Sequence, residues 1–145
     1  MGKNIKIKYF NDKLEKLTYI DGKSDWIDLR SAEDVDLKEG EFHLVPLGVA
    51  MEIPEGYFGG IFARSGLSAK EGLRPANCVG VVDSDYRGEV KVALHNDGEV
   101  ERVVTPAEKI AQLVVVPFLS VEFSQVDKLS DTVRGEGGFG STGKH

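Results

Sequence analysis

The chain has 145 residues, enough for one compact domain and too few for two of ordinary size. Hydrophobic residues make up 41% and charged residues 29% of the chain, which excludes a disordered or fibrous protein. The net charge is −6 and no cluster of lysines and arginines stands out, so we expect no nucleic-acid partner.

An alternation of apolar and polar residues dominates the chain and predicts short β-strands. The alternating segments are residues 5–9, 42–53 and 90–94. Within the second segment, Pro46 and Gly48 predict a bend or a bulge. After the third, Asn96-Asp97-Gly98 has the composition of a hairpin turn. Residues 110–123 are rich in β-branched and apolar side chains, which predicts strands that are buried on both faces or packed against a partner chain.

One segment has a helical pattern. Residues 65–71 predict about two turns of helix, with Ser65 or Ser68 as the N-cap. Many short strands and one short helix predict an all-β, single-domain jelly roll or β-barrel. We expect residues 1–132 to form this domain and residues 133–145 to form a flexible, glycine-rich C-terminal lid.

The glycine-rich tail carries side chains that suit a nucleotide. Residues 133–143 hold five glycines and cannot bury enough apolar surface to be ordered alone. Composition by itself favours a solvated end of the chain. The alternative is a lid, in which Phe139 stacks on a planar base while Arg134, Ser141 and Thr142 donate to phosphate.

Two further segments suggest chemistry, and each also has an ordinary structural interpretation. Arg64-Ser65-Gly66 places a guanidinium beside a helix start, which predicts an anion site, although the same residues occur in ordinary turns. Asp83 follows an apolar run and is expected to be partly buried, where it could orient a water as general base. The alternative for Asp83 is a solvated turn.

Several features bear on location and on metals. No apolar run approaches the roughly 20 residues of a membrane span, and the N-terminus turns polar too soon for a signal peptide. The single cysteine, Cys78, excludes an intrachain disulfide and is expected in the core. We therefore expect a cytoplasmic protein without a membrane partner. No spacing of His, Asp and Glu predicts a metal site made by the protein itself.

Taken together, these segments resemble the five ordered motifs of the trimeric dUTP pyrophosphatases, the dUTPases. The motifs correspond to residues 24–29, 64–67, 77–89, 108–112 and 134–143. The third and fifth motifs are highly specific as a pair. The resemblance covers nearly the whole chain.

This resemblance implies an enzyme that hydrolyses dUTP to dUMP and pyrophosphate by water attack at the α-phosphate. Such an enzyme keeps uracil out of DNA and supplies dUMP for dTMP synthesis. The resemblance also implies a jelly-roll subunit in a homotrimer whose three chains share each active site. It further implies Mg²⁺ as the cofactor, held by the triphosphate rather than by a direct protein ligand.

The resemblance assigns a role to individual residues. Asp83 is the implied catalytic residue, which holds the attacking water. The implied uracil and deoxyribose contacts are Asn77, Gly80, Val81, Tyr86, Lys91 and Phe139. The implied phosphate contacts are Arg64, Ser65, Gly66, Gln112, Arg134, Ser141 and Thr142. Asp28 is implied to support the magnesium-bound triphosphate from its surroundings.

The chain departs from the family pattern in its first motif, where Ser24-Asp25-Trp26 replaces the usual Ser-Ala-Gly, and at Lys109, where arginine is common. The related dCTP deaminases share the fold, but Tyr86 near Asp83 and a complete fifth motif favour the dUTPases. Two other functions remain open. One is a regulatory module that binds nucleotide and acts through a partner protein, and the other is a jelly-roll carbohydrate binder.

Overall fold

The computed structural model describes residues 4–19 and 26–143. Within these ranges it has eleven β-strands and one helix. The first six strands are β1 Lys6–Tyr9, β2 Ile27–Arg30, β3 Val35–Leu37, β4 Phe42–Pro46, β5 Val49–Glu52 and β6 Tyr57–Phe62. They are followed by α1 Ser65–Glu71, β7 Leu73–Pro75, β8 Gly80–Val82, β9 Lys91–Asn96, β10 Arg102–Val104 and β11 Lys109–Pro117. The predicted all-β class with one short helix is confirmed.

The strands form four antiparallel sheets around one core. Their orders are β1-β5, β10-β3, β2-β11-β6-β8 and β4-β9-β7. Among the described residues, these pairings do not join into a closed barrel. Side chains on β9 alternate between exposed or half-buried and buried positions, as a strand with one face on the core requires. The core side chains with the least exposure include Leu29, Leu37, Val45, Leu73, Leu94, Ile110 and Leu113.

The bend predicted at Pro46 and Gly48 is confirmed. Strand β4 ends at Pro46 and β5 begins at Val49, in a different sheet. Gly48 between them has a φ of 73°, in the left-handed region that favours glycine. Pro46 is tolerated because β4 lies at the edge of its sheet, where a missing backbone donor costs little.

The hairpin predicted at Asn96-Asp97-Gly98 is wrong, because β9 and β10 belong to different sheets. The asparagine side chain stabilises the connection between the sheets instead. Asn96 is fully buried, and its amide donates to the carbonyls of Leu37 and Val100, both at 2.9 Å. Its side-chain oxygen accepts from the amide of Gly98 at 2.9 Å. The residues that are typical of a tight turn therefore form a buried polar contact.

Replacing Asn96 with alanine should lower the free energy of unfolding by about 3 kcal/mol, because it leaves carbonyls near the core without a partner. Urea denaturation followed by circular dichroism measures this change. Asn11→Ala is the control, since Asn11 is half-buried and, among the described residues, its side chain has one hydrogen bond, which it accepts from the Lys13 amide. Equal stability of the two variants would contradict the role of Asn96.

An ion pair lies beside this connection. Arg74 on β7 contacts Asp97, and its hydrogen bond holds the pKa of the Asp97 carboxyl below its ordinary value. A lowered carboxyl pKa stabilises the fold above the unfolded-state pKa of Asp97, and this contribution is lost as the pH falls through the folded-state value. Both side chains are substantially exposed, so solvent screening keeps the contribution small.

The last described segment, residues 118–143, leaves the body of the protein. Strand β11 ends at Pro117, short of the predicted residue 123, and the Phe118 amide donates to the carbonyl of Gly56 at 2.9 Å. Beyond this bond, Leu119 is 88% exposed and Phe123 is 96% exposed. No helix among the described residues is long and apolar enough to cross a membrane.

Candidate active site

A cleft of about 230 Å³ lies at the loop between β8 and β9. It is lined by Asn77, Gly80, Val81, Asp83, Tyr86 and Lys91, together with Ile61, Val82 and Val90. The first six are residues that the sequence predicted for catalysis or for uracil and deoxyribose. The fold brings them together because β8 and β9 enter and leave the same loop.

Asp83 directly follows β8 and begins the loop. The amide of Tyr86 donates to the Asp83 carbonyl at 3.2 Å, which closes a tight turn. The predicted partial burial of Asp83 is wrong for the single chain, where this residue is exposed. The reason is that β8 is the edge strand of its sheet, so the residue after it emerges at the surface.

Asp83 also borders a second, wider cleft of about 1030 Å³. Phe58 and Phe118 line this cleft, and their ring centroids are 6.3 Å apart. Phe118 is the first residue after β11, so the C-terminal segment starts near the Asp83 turn of its own chain.

A basic cleft of about 510 Å³ forms at the start of α1. Its basic residues are Arg30, Arg64, Lys70 and Lys109, and Gly66 also lines it. Glu71 and Glu108 are its acidic residues. The excess of cations suits a multiply charged anion such as a triphosphate.

Asp28 fixes two of these cations. It is 9% exposed, with Oδ1 3.4 Å from Arg64 Nε and Oδ2 3.2 Å from Lys109 Nζ. The Arg64 guanidinium also donates to the Lys109 carbonyl at 3.3 Å. Both oxygens of Asp28 face cations, although the buried Oδ1 has no hydrogen-bond partner among the described residues, so the carboxylate holds Arg64 and Lys109 by charge.

Gln112 acts on the backbone beside the same cleft. Its side-chain amide donates to the Ala63 carbonyl at 3.0 Å, so in this structure it holds the strand end that leads to Arg64. Gln112 and Ser65 do not line the basic cleft, whereas Arg64 and Gly66 do. Helix α1 begins at Ser65 as predicted, but its N-cap is Arg64 and no side chain caps it. The predicted serine caps are wrong because β6 leads into the helix through an extended Arg64.

The predicted tail residues do not line the 230 Å³ cleft or the basic cleft. Arg134 Nε donates to the Gly137 carbonyl at 2.8 Å, and Phe139 is fully exposed. Ser141 bonds through its backbone to Gly138. Among the described residues, Thr142 lines neither cleft. The 230 Å³ cleft and the basic cleft also share no lining residue.

A family model described as dUTPase matches residues 15–143. The chain belongs to the dUTPase family.

Curated relatives and a solved structure agree with this assignment. The deoxyuridine 5′-triphosphate nucleotidohydrolase of Janthinobacterium sp. (strain Marseille) is 41% identical over 148 residues, 99% of each chain. Its counterpart from Nautilia profundicola is 45% identical over 140 residues, 97% of this chain and 99% of the relative. The dUTPase of Staphylococcus bacteriophage 80alpha with dUpNHpp is 29% identical, with a TM-score of 0.90 over 99% of this chain and 100% of that chain. The predicted jelly-roll class is confirmed.

Two residues of the basic cleft were not predicted from the sequence. Arg30 reaches the cleft through the pairing of β2 with β11, and Lys70 reaches it from the last turn of α1. Trp26 packs edge-on against Phe62, with ring centroids 5.0 Å apart, one residue before the Ala63-Arg64 segment. Ser24 and Asp25, the rest of the unusual first motif, lie outside the described residues.

Cys78 corrects a prediction about the core. It is exposed, with a φ of 64°, in the turn between Asn77 and β8. The expectation of a buried thiol failed because the residues on either side of β8 form surface turns rather than strand. Its neighbour Asn77 lines the 230 Å³ cleft, whereas Cys78 does not.

Proposed function

We propose that this chain hydrolyses dUTP to dUMP and pyrophosphate. The observation that carries the proposal is the single cleft that gathers Asn77, Gly80, Val81, Asp83, Tyr86 and Lys91. The basic cleft supplies the second requirement, a cationic surface for the phosphates. The deoxyuridine triphosphate relatives support the same substrate.

The proposed step is an attack by water on the α-phosphorus. The Asp83 carboxylate accepts a proton from the water while the water oxygen bonds to the α-phosphorus. The bond between the α-phosphorus and the oxygen that bridges to the β-phosphate breaks. Pyrophosphate leaves with the bonding electrons. Charge develops on the phosphoryl oxygens, where Arg64 and backbone amides at Ser65 and Gly66 stabilise it. Gln112 holds the backbone at this point.

Specificity follows from the cleft around β8. Backbone groups of Gly80 and Val81 and the amide of Asn77 hydrogen-bond the uracil edge. Cytosine presents the opposite hydrogen-bond polarity there, which leaves buried groups unpaired. The Tyr86 ring packs against the deoxyribose and leaves no room for a 2′-hydroxyl. Lys91 lines the same cleft from the start of β9.

Magnesium belongs to the proposal as a partner of the nucleotide. Among the described residues, no group of three or more His, Cys, Asp or Glu side chains is placed to hold a metal. Asp28 forms ion pairs with Arg64 and Lys109, which make its carboxylate less available as a direct metal ligand and suit an ion that the phosphates hold. Such an ion neutralises phosphate charge when bound.

The proposed assembly is a homotrimer with shared sites. The 230 Å³ cleft and the basic cleft have no lining residue in common, which suits a site that takes its base contacts from one chain and its phosphate contacts from another. The segment after Pro117 exposes large apolar side chains, among them Leu119 and Phe123, which a neighbouring chain could cover. We propose that residues 133–145 act as the lid, with Phe139 on uracil and Arg134, Ser141 and Thr142 on phosphate. The proposed location is the cytoplasm.

A nucleotide panel tests the proposal directly. With Mg²⁺, pyrophosphate should be released from dUTP at least about 100-fold faster than from dCTP, dTTP or UTP, judged by kcat/KM. Comparable rates for all four would contradict the specificity. Tight dUTP binding without turnover would instead favour a regulatory module that acts through a partner.

A further inference from the structure

The Tyr86 ring lies across the backbone at Gly88. A Cβ atom at Gly88 would lie 2.6 Å from Tyr86 Oη, 2.8 Å from Cζ and 3.1 Å from Cε2. Contacts this short do not occur in real side chains, so the ring occupies space that only glycine leaves free. The Tyr86 hydroxyl donates to the Glu89 carbonyl at 2.9 Å, which holds the ring in this place.

The backbone on both sides of Gly88 is tied down. The Arg87 guanidinium donates to the Ser84 carbonyl at 2.7 Å, on the side of the turn. On the other side, a Glu89 side-chain oxygen accepts from the Gly48 amide at 3.1 Å. The backbone itself is held by the Tyr86 amide, which donates to the Asp83 carbonyl at 3.2 Å, and by the Val90 amide, which donates to the Val49 carbonyl at 2.8 Å. It therefore has less freedom to move than the Tyr86 side chain, which lies at the surface and is 44% exposed.

We infer that Gly88 is a specificity-determining positioning residue, because the missing side chain sets where Tyr86 stands over the sugar subsite. This inference rests on the proposed function, in which Tyr86 excludes a 2′-hydroxyl. Gly88 itself touches no substrate. It acts by leaving room for the ring.

Alanine at position 88 isolates this effect. Gly88 does not have a left-handed φ, so alanine brings no backbone strain of that kind. The least costly adjustment is a shift of the Tyr86 ring away from Gly88, with loss of its bond to Glu89. The ring then leaves the position in which it excludes a 2′-hydroxyl, while the core and the basic cleft stay unchanged.

Gly88→Ala should reduce the preference for dUTP over UTP, taken as the ratio of the two kcat/KM values, by about tenfold. Thermal unfolding should remain close to that of the wild type. Ser84→Ala is the matched control, because it alters the same turn without adding an atom beside the ring, and its ratio should not change. An unchanged ratio in Gly88→Ala would overturn the inference.

A double-mutant cycle separates the ring from other causes. If Gly88 acts through the ring, Gly88→Ala should leave the ratio of the kcat/KM values for dUTP and UTP unchanged when Tyr86 is already replaced by alanine. Additive effects of the two substitutions would overturn the inference.

A crystal structure of Gly88→Ala without nucleotide provides a readout independent of turnover. It should show the Tyr86 hydroxyl away from the Glu89 carbonyl, and an unmoved ring would overturn the inference. A wild-type chain inactive on dUTP would overturn the proposed function, while the ring position in this crystal still decides the role of Gly88.

Discussion

Asp83→Asn should lower kcat for dUTP about 1,000-fold, because the amide cannot accept the proton of the attacking water. Binding should persist, since asparagine keeps the shape of the side chain and removes a negative charge near the triphosphate. Steady-state kinetics measure the first effect, and calorimetry with dUpNHpp measures the second.

Asp85→Asn is the matched control for this variant. Asp85 lies in the same exposed turn, two residues along, and lines the wider cleft but not the 230 Å³ cleft. The Asp85→Asn variant removes the same charge from the turn but keeps the proposed base Asp83. It should therefore lose far less activity than Asp83→Asn. Equal losses in the two variants would show that charge, rather than proton transfer at Asp83, explains the result.

Ending the chain at Val133 should lower kcat/KM for dUTP about 100-fold, because the proposed lid donors are lost together. The truncation should leave the assembly intact, since the hydrogen bonds of Arg134, Ser141 and Gly143 in the described chain stay within the tail. Kinetics and light scattering measure the two outcomes. A chain that ends at Gly143 is the control and should keep its activity.

Mixing the Asp83→Asn chain with the chain truncated at Val133 tests whether the tail serves a neighbouring chain. The segment after β11 starts beside the Asp83 turn of its own chain, so a tail closing over its own site is the competing arrangement. If tails cross, mixed trimers of Asp83→Asn and truncated chains regain about one quarter of wild-type sites, half times half for random assembly. No recovery would show that each tail serves its own chain.

Much of the fold could be predicted from the sequence because its signals are local. The alternation along β9 and the helix at residues 65–71 follow from side-chain periodicity, and both are present. Asn96-Asp97-Gly98 misled because the same residues suit a tight turn and a buried polar contact. The hydrogen bond from the Asn96 side chain to the Leu37 carbonyl distinguishes the two, and Leu37 is distant in the sequence.

The candidate site also contains residues that local sequence patterns predict and residues whose role depends on the fold. Motif residues around Asp83 could be predicted, and the structure places six of them in one cleft. Arg30 could not, because its approach to Arg64 depends on the pairing of β2 with the distant strand β11. The space under Tyr86 at Gly88 was equally hidden, since an absent side chain gives no signal of what fills its place.

The core is formed by one chain, and the 230 Å³ cleft and the basic cleft of that chain share no lining residue. If a site needs the base cleft of one copy and the basic cleft of another, dilution separates the halves without unfolding either copy. Catalytic rate per chain then depends on protein concentration, although the folded fraction does not. The abundance of the protein would thus set both how many sites exist and whether each site is complete.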